Sequence, residues 1–109
     1  MSISMITSGE GRYKVWLRRE KIGTDRLYIL GGGERPHIGG VVIREPGKDV
    51  TTVRLGTHYD YLVLEPIARE ASEKYQVTCV AVGGIHIDKA SKAEIEIIVK
   101  NCKELVKCI

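Results

Sequence analysis

A chain of 109 residues that is 43% hydrophobic and 28% charged has the size of one domain and is long enough to bury a core without disulfide or metal staples. No apolar run approaches the ~20 residues that span a bilayer, and the start MSISMITSGEGRYK lacks the basic head and apolar stretch of a secretory signal. The expectation is therefore one cytoplasmic domain over residues 1–109, with an ordered core about 12–107 and no membrane association. The net charge of +3 is modest, and even the densest basic cluster, Arg18, Arg19 and Lys21, has Glu20 in its midst. That is the pattern of a solvated strand end, and no nucleic-acid partner is expected.

From Arg12 to Glu20 the residues alternate, with Tyr13, Val15 and Leu17 on one side and Lys14, Trp16 and Arg18 on the other. This is the period of a half-buried strand. Gly23 and Asp25 turn the chain into a second strand, Leu27 to Leu30. The glycine-rich segment GGGERPHIGG, residues 31 to 40, reads as a loop stiffened by Pro36. Val41 to Arg44 and Thr51 to Leu55 complete a four-stranded meander around the turn at Pro46 and Gly47.

Between Asp60 and Tyr75, Leu62, Val63, Ile67 and Ala71 recur at helical spacing. Pro66 predicts either a kink or a helix that begins near Glu65. Val77 to Val82, apolar throughout, predicts a strand buried on both faces that ends in the turn GGIHID. Ser91 and Glu94 form a capping box for a last helix whose stripe, Ile95, Ile98, Val99, Cys102, Leu105 and Val106, is expected to pack on the sheet.

The element order ββββαβα implies an α+β two-layer sandwich, mainly antiparallel, with two helices on one sheet face. Trp16, Tyr28 and Leu30 are expected on the uncovered face, where they form either a dimer interface or the ordinary surface of a half-solvated sheet. Three cysteines with no CxxC pair do not suit a disulfide framework. Cys79 and Cys102 read as small core residues; the role of Cys108 stays open.

The chemistry-bearing signal is a set of three histidines beside glycines, in PHIGG, GTHYD and GGIHID. Histidine titrates near neutrality and binds metals, while glycine lets a ligand approach the backbone and leaves amides for anions. GGGERPHIGG lacks GK[ST] and joins strand to strand, so it is neither a Walker loop nor a dinucleotide fingerprint. It is either a hairpin connection or a binding loop whose amides and Arg35 hold a phosphate. His58 is either satisfied beside a helix start or, with Thr57 and Asp60, part of an anion site. His86 is either oriented by Asp88 or simply adjacent to a turn that Asp88 opens. A zinc hydrolase built on His37, His58 and His86 is a further reading, although HExxH is absent.

In GGGERPHIGG, GTHYD and GGIHIDKASKAEIE the chain resembles the LpdD-like family, small proteins associated with gallate-type decarboxylases of the prenylated-flavin class. The family's fold is similar to that of proteasome assembly chaperones. Gly32, Pro36, His37, Ile38 and Gly39 match its first motif, His58 its second, and Gly84, Ile85, His86, Ile87 and Asp88 its third. Thr57 separates Gly56 from His58 where the family more often has glycine directly before histidine.

The resemblance implies a non-catalytic protein that binds prenylated flavin mononucleotide, or plain FMN, and delivers it to a UbiD-type decarboxylase. The expected cofactor-binding set is Gly32, Gly33, Arg35, Pro36, His37, Ile38, Gly39, Thr57, His58, Gly84, His86 and Asp88, with no catalytic residue and no metal ligand. Tyr59, Tyr61 and Trp16 are the candidates for stacking on the isoalloxazine ring. A homodimer is expected, with the decarboxylase as partner. The alternative is an assembly chaperone that docks on a partner subunit and takes no small molecule.

Overall fold

The computed structural model describes residues 4–109; the expectations for residues 1–3 lie outside them. In chain order the elements are β1 (Ser4–Ser8), a 3-10 turn (Gly11–Tyr13), β2 (Val15–Ile22), β3 (Asp25–Gly32), β4 (Arg35–Arg44), β5 (Thr51–Arg54), α1 (Tyr61–Tyr75), β6 (Cys79–His86) and α2 (Lys92–Lys107). Six strands form one sheet in the order β1-β2-β3-β6-β4-β5. Every neighbouring pair is antiparallel except β3 with β6.

Alternation in β2 buries Val15 and Leu17, which share the core with Tyr28, Leu30, Val42 and Ala81 from the same sheet face. Leu64, Ile67, Ala68 and Ala71 of α1 and Cys102 and Leu105 of α2 close that core from above. The result is the two-layer α+β sandwich, mainly antiparallel, that the pattern implies. The β2–β3 hairpin turns on two residues, with Gly23 at φ +61 in the first position, where a side chain would be strained.

The strand order departs from the expected meander. β6 lies between β3 and β4, because its apolar run CVAV is satisfied only in the sheet interior, paired on both sides. The segment GGGERPHIGG is not a free loop: β3 runs to Gly32 and β4 starts at Arg35, leaving Gly33 and Glu34 to cross the end of β6. The strand expected to stop at Val82 likewise continues to His86. β1, which the sequence pattern left out, pairs with β2 along the sheet edge. At the other end, Ile109 is only 4% exposed, so the core extends past residue 107.

Three further expectations are corrected. α1 begins at Tyr61, not near Glu65, and carries Pro66 in its interior on the exposed face, where proline removes the donor for the carbonyl one turn back. Tyr28 and Leu30 are buried beneath the helices, since they stand in register with Arg19 and Leu17; of the three residues expected on the uncovered face, Trp16 alone is there, its ring over Gly31. The apolar stripes of both helices also overrun the core: Leu62 and Ile95 are 56% and 51% exposed.

The capping box of α2 is present, with Ser91 Oγ accepting from the Glu94 amide and Glu94 Oε1 accepting from the Ser91 amide at 3.0 Å. Tyr13 donates its hydroxyl to Glu94 Oε2 at 2.9 Å, tying the 3-10 turn to the helix. The Ser91 amide, then the Tyr13 hydroxyl, holds the Glu94 carboxyl below its ordinary value. The Val50 amide and Arg69 do the same for Asp49. A carboxylate depressed in the folded state contributes stability that is present above its unfolded value and lost as pH falls through the folded one. Folding stability is therefore expected to drop below about pH 4, and Glu94→Gln to flatten that acid limb, as measured by urea denaturation across a pH series.

Candidate functional site

The site is assembled where β4 and β6 fall out of register. Arg35 pairs with His86 and Pro36 with Ile85, but regular pairing resumes only at Gly40 with Gly83, so His37, Ile38 and Gly39 face Gly84 alone. A bulge of this kind re-aims side chains. It sets His37 over the start of α1, while Ile38 remains 64% exposed.

Asp60 occupies the N-cap position of α1 but makes no capping bond. Its Oδ1 instead accepts the Ile85 amide at 2.9 Å, and its Oδ2 stands 3.2 Å from His37 Nε2. Only 10% of the Asp60 side chain and 25% of that of His37 is exposed. The floor under this pair is bare backbone: a Cβ on Gly39 would fall 2.0 Å from Asp60 Oδ2, and one on Gly84 would fall 2.8 Å from it. Gly39 and Gly84 are thus required by space, not by backbone angle.

The three histidines converge. The His58 ring centroid lies 4.6 Å from that of His37, and the His86 centroid 6.0 Å from it. His86 is held by Asp88, whose Oδ1 is 2.7 Å from Nε2 and 3.1 Å from the Arg35 guanidinium. The His86 hydrogen bond, then the Arg35 charge, keeps the Asp88 carboxyl below its ordinary value. Asp88 therefore orients His86 as well as standing in the turn.

Other members of the expected set are structural neighbours. Gly32 packs so tightly that a Cβ would sit 2.4 Å from the Lys14 carbonyl oxygen. The amides of Gly33 and Glu34 donate to the carbonyls of Lys14 and His86, so these two are already spent on the backbone. Pro36 is exposed on β4. Thr57 and His58 are held through their carbonyls, which accept from the Arg54 side chain at 3.1 and 2.7 Å. Trp16 lies on the far face of the sheet and Tyr61 packs against the core, whereas Tyr59 lines the cleft, with the Arg54 guanidinium 4.3 Å from its ring centroid.

A cleft of ≈ 350 Å³ opens beside this cluster. Leu62, Val63, Ile85, Ile87, Ile95 and Ile98 form its walls, and Thr57, His58, Tyr59, Asp60 and His86 its polar rim. The surplus apolar residues of the two helices are thus cleft walls. Arg54, in a plain β-branched strand, is the site residue that motif spacing did not single out. Asp60, read with Thr57 as part of an anion site, instead accepts the Ile85 amide and faces His37. Burial raises the thiols of Cys79 and Cys102 to about 12, which makes them core groups and poor nucleophiles.

Fold and site together define a small α+β domain with a histidine cluster and an apolar-walled cleft at the ends of its central strands. The chain belongs to the LpdD family: residues 9–109 match the prenylated flavin chaperone LpdD-like domain. It is similar to Protein LpdD of Lactiplantibacillus plantarum, with 26% identity over 98 residues that cover 85% of this chain and 72% of the relative. In fold it resembles a chaperone complex for yeast 20S proteasome assembly, with a TM-score of 0.56 and 15% identity over 99% of this chain and 98% of the other. Among the described residues no helix is long and apolar enough to cross a membrane.

Because Asp60 is the acceptor for the Ile85 amide, Asp60→Ala is expected to cost about 1–2 kcal/mol and to speed hydrogen exchange at that amide. Asp60→Asn, which keeps an oxygen in place, is expected to retain most of the stability. Chemical denaturation with amide exchange by NMR measures both.

Proposed function

We propose that this chain is a non-catalytic carrier for prenylated flavin mononucleotide, or for its FMN precursor, and that it passes the cofactor to a UbiD-type decarboxylase in the cytoplasm. The observation that carries this reading is the cleft, with aliphatic walls long enough for an apolar ring system and a polar rim at one end. Membership of a family described as prenylated flavin chaperones supports it. Tyr59, 65% exposed at the rim, is placed to stack on an isoalloxazine.

Arg35 supplies the phosphate contact in this reading. Its pair with Asp88 is exposed on both sides, so exchanging the carboxylate for a phosphate costs little. His37, His58 and His86 meet the polar edge of the ligand, and Gly39 and Gly84 leave the room in which Asp60 and His37 sit behind it. Fluorescence titration is expected to show saturable binding of the flavin phosphates. Leu62→Lys and Ile95→Lys, both at exposed positions, are expected to weaken it at least about tenfold, the loss of one or two apolar contacts. Arg35→Ala should weaken FMN while leaving riboflavin unchanged. Absence of saturable binding by the folded protein would refute the reading.

The homodimer expected for the carrier is supported by the sheet face opposite the helices. Met5, Trp16, Ile29, Ile43, Val53 and Val82 lie there, with Met5 61% and Val53 47% exposed. Arg18 and Glu20, paired with each other at 3.2 Å, interrupt this face on β2, and its aliphatic remainder is favourable to bury against a like surface. Light scattering is expected to give twice the chain mass, and the double variant Ile43→Asp, Val53→Lys to give the single mass. A wild-type monomer would instead assign this face to a partner subunit.

A further inference from the structure

We infer that His37, His58 and Asp60 form a binding site for a divalent transition-metal cation at the mouth of the cleft. The donor atoms of these three side chains lie within 4.8 Å of one another. His37 Nε2 and Asp60 Oδ2 are 3.2 Å apart. Metal–nitrogen and metal–oxygen bonds of about 2.1 Å in tetrahedral geometry separate two ligand atoms by about 3.4 Å, so this pair already spans one ligand edge. His58 need swing inward only on the order of an ångström to complete a face of the tetrahedron, and its side chain is exposed and free to do so.

A His37–Asp60 ion pair explains the first two groups but not the third. Among the described residues the His58 ring has no hydrogen-bond partner, and its loop is held through backbone groups, the Thr57 and His58 carbonyls and the His58 amide. The imidazoles of His37 and His58 meet edge to face at 64°, a contact that brings a nitrogen of each ring beside the same Asp60 carboxylate. Two imidazoles converging on one carboxylate suit a shared cation better than they suit each other. The pair rests on glycine floors, and Asp60 Oδ1 is fixed by the Ile85 amide, which orients Oδ2 as an outer-shell bond orients a ligand. His86 stands outside the set because its Nε2 is engaged by Asp88.

Two imidazoles and one carboxylate suit Zn2+, Fe2+ or Mn2+, and three protein ligands leave at least one position open toward the cleft. That position is available to an oxygen donor, whether water or an anionic group of a bound molecule. The site does not depend on the flavin reading, since its test uses the metal alone.

The experiment is calorimetric titration of chelator-stripped, full-length protein with Zn2+, together with elemental analysis after dialysis and Co2+ absorption spectra. One equivalent per chain is expected, with intense d–d bands of a low-coordinate Co2+ site. Asp60→Asn and His58→Ala should each weaken binding at least about tenfold and abolish those bands, while Cys108→Ser changes neither. Circular dichroism of each variant confirms that it is folded. Binding well below one equivalent, or stoichiometric binding that survives both substitutions, overturns the inference. Loss of flavin binding with metal binding intact refutes the carrier reading alone.

Discussion

The fold turns on the placement of β6. An apolar strand inserted between β3 and β4 pairs on both sides, parallel to one neighbour and antiparallel to the other. The short connection from β3 to β4 must then cross the end of the inserted strand, and Gly33 and Glu34 do so by bonding to the carbonyls of Lys14 and His86. His86 is thereby flanked by Gly33 on one side and Arg35 on the other. A meander would have left these residues at a hairpin tip, with no neighbour to build a site upon.

The mismatch between β4 and β6 is the second consequence. Three residues opposite one open the sheet where Asp60 enters from the helix layer. A nearly buried carboxylate there is costly unless it is bonded. The Ile85 amide bonds one oxygen, the His37 imidazole stands 3.2 Å from the other, and the bare backbone at Gly39 and Gly84 provides the room. Asp60 thus locks α1 onto β6 while presenting one oxygen toward the histidines.

The two helices contribute differently to core and cleft. Leu64, Ile67, Ala68 and Ala71 seal α1 to the sheet, and Cys102 and Leu105 seal α2. Toward the site end the layer parts, so Leu62, Ile95 and Ile98 line open space instead of each other. Apolar groups retained there cost solvation free energy that a bound apolar ligand would recover. The same reasoning applies to the bare sheet face, where Met5, Ile29, Val82, Ile43 and Val53 share a side with Trp16.

The sequence by itself determined the local elements whose causes are local. The alternation of Val15 and Leu17, the reversal at Gly23 and the Ser91–Glu94 box each act within a few residues, and each is present, the reversal on Gly23 and Thr24 and so tighter than the segment read. The three glycine-flanked histidines were likewise legible as residues with chemistry to offer. Tertiary structure alone decided their convergence, because strand order is set by which apolar run needs two neighbours, and no short window contains that comparison. It also decided that GGGERPHIGG is mostly strand, since glycine's weak intrinsic preference is overridden by pairing on β6. It made Asp60 the centre of the site, because its partners Ile85 and His37 lie 25 and 23 positions away in the chain and meet it only once the sheet has closed.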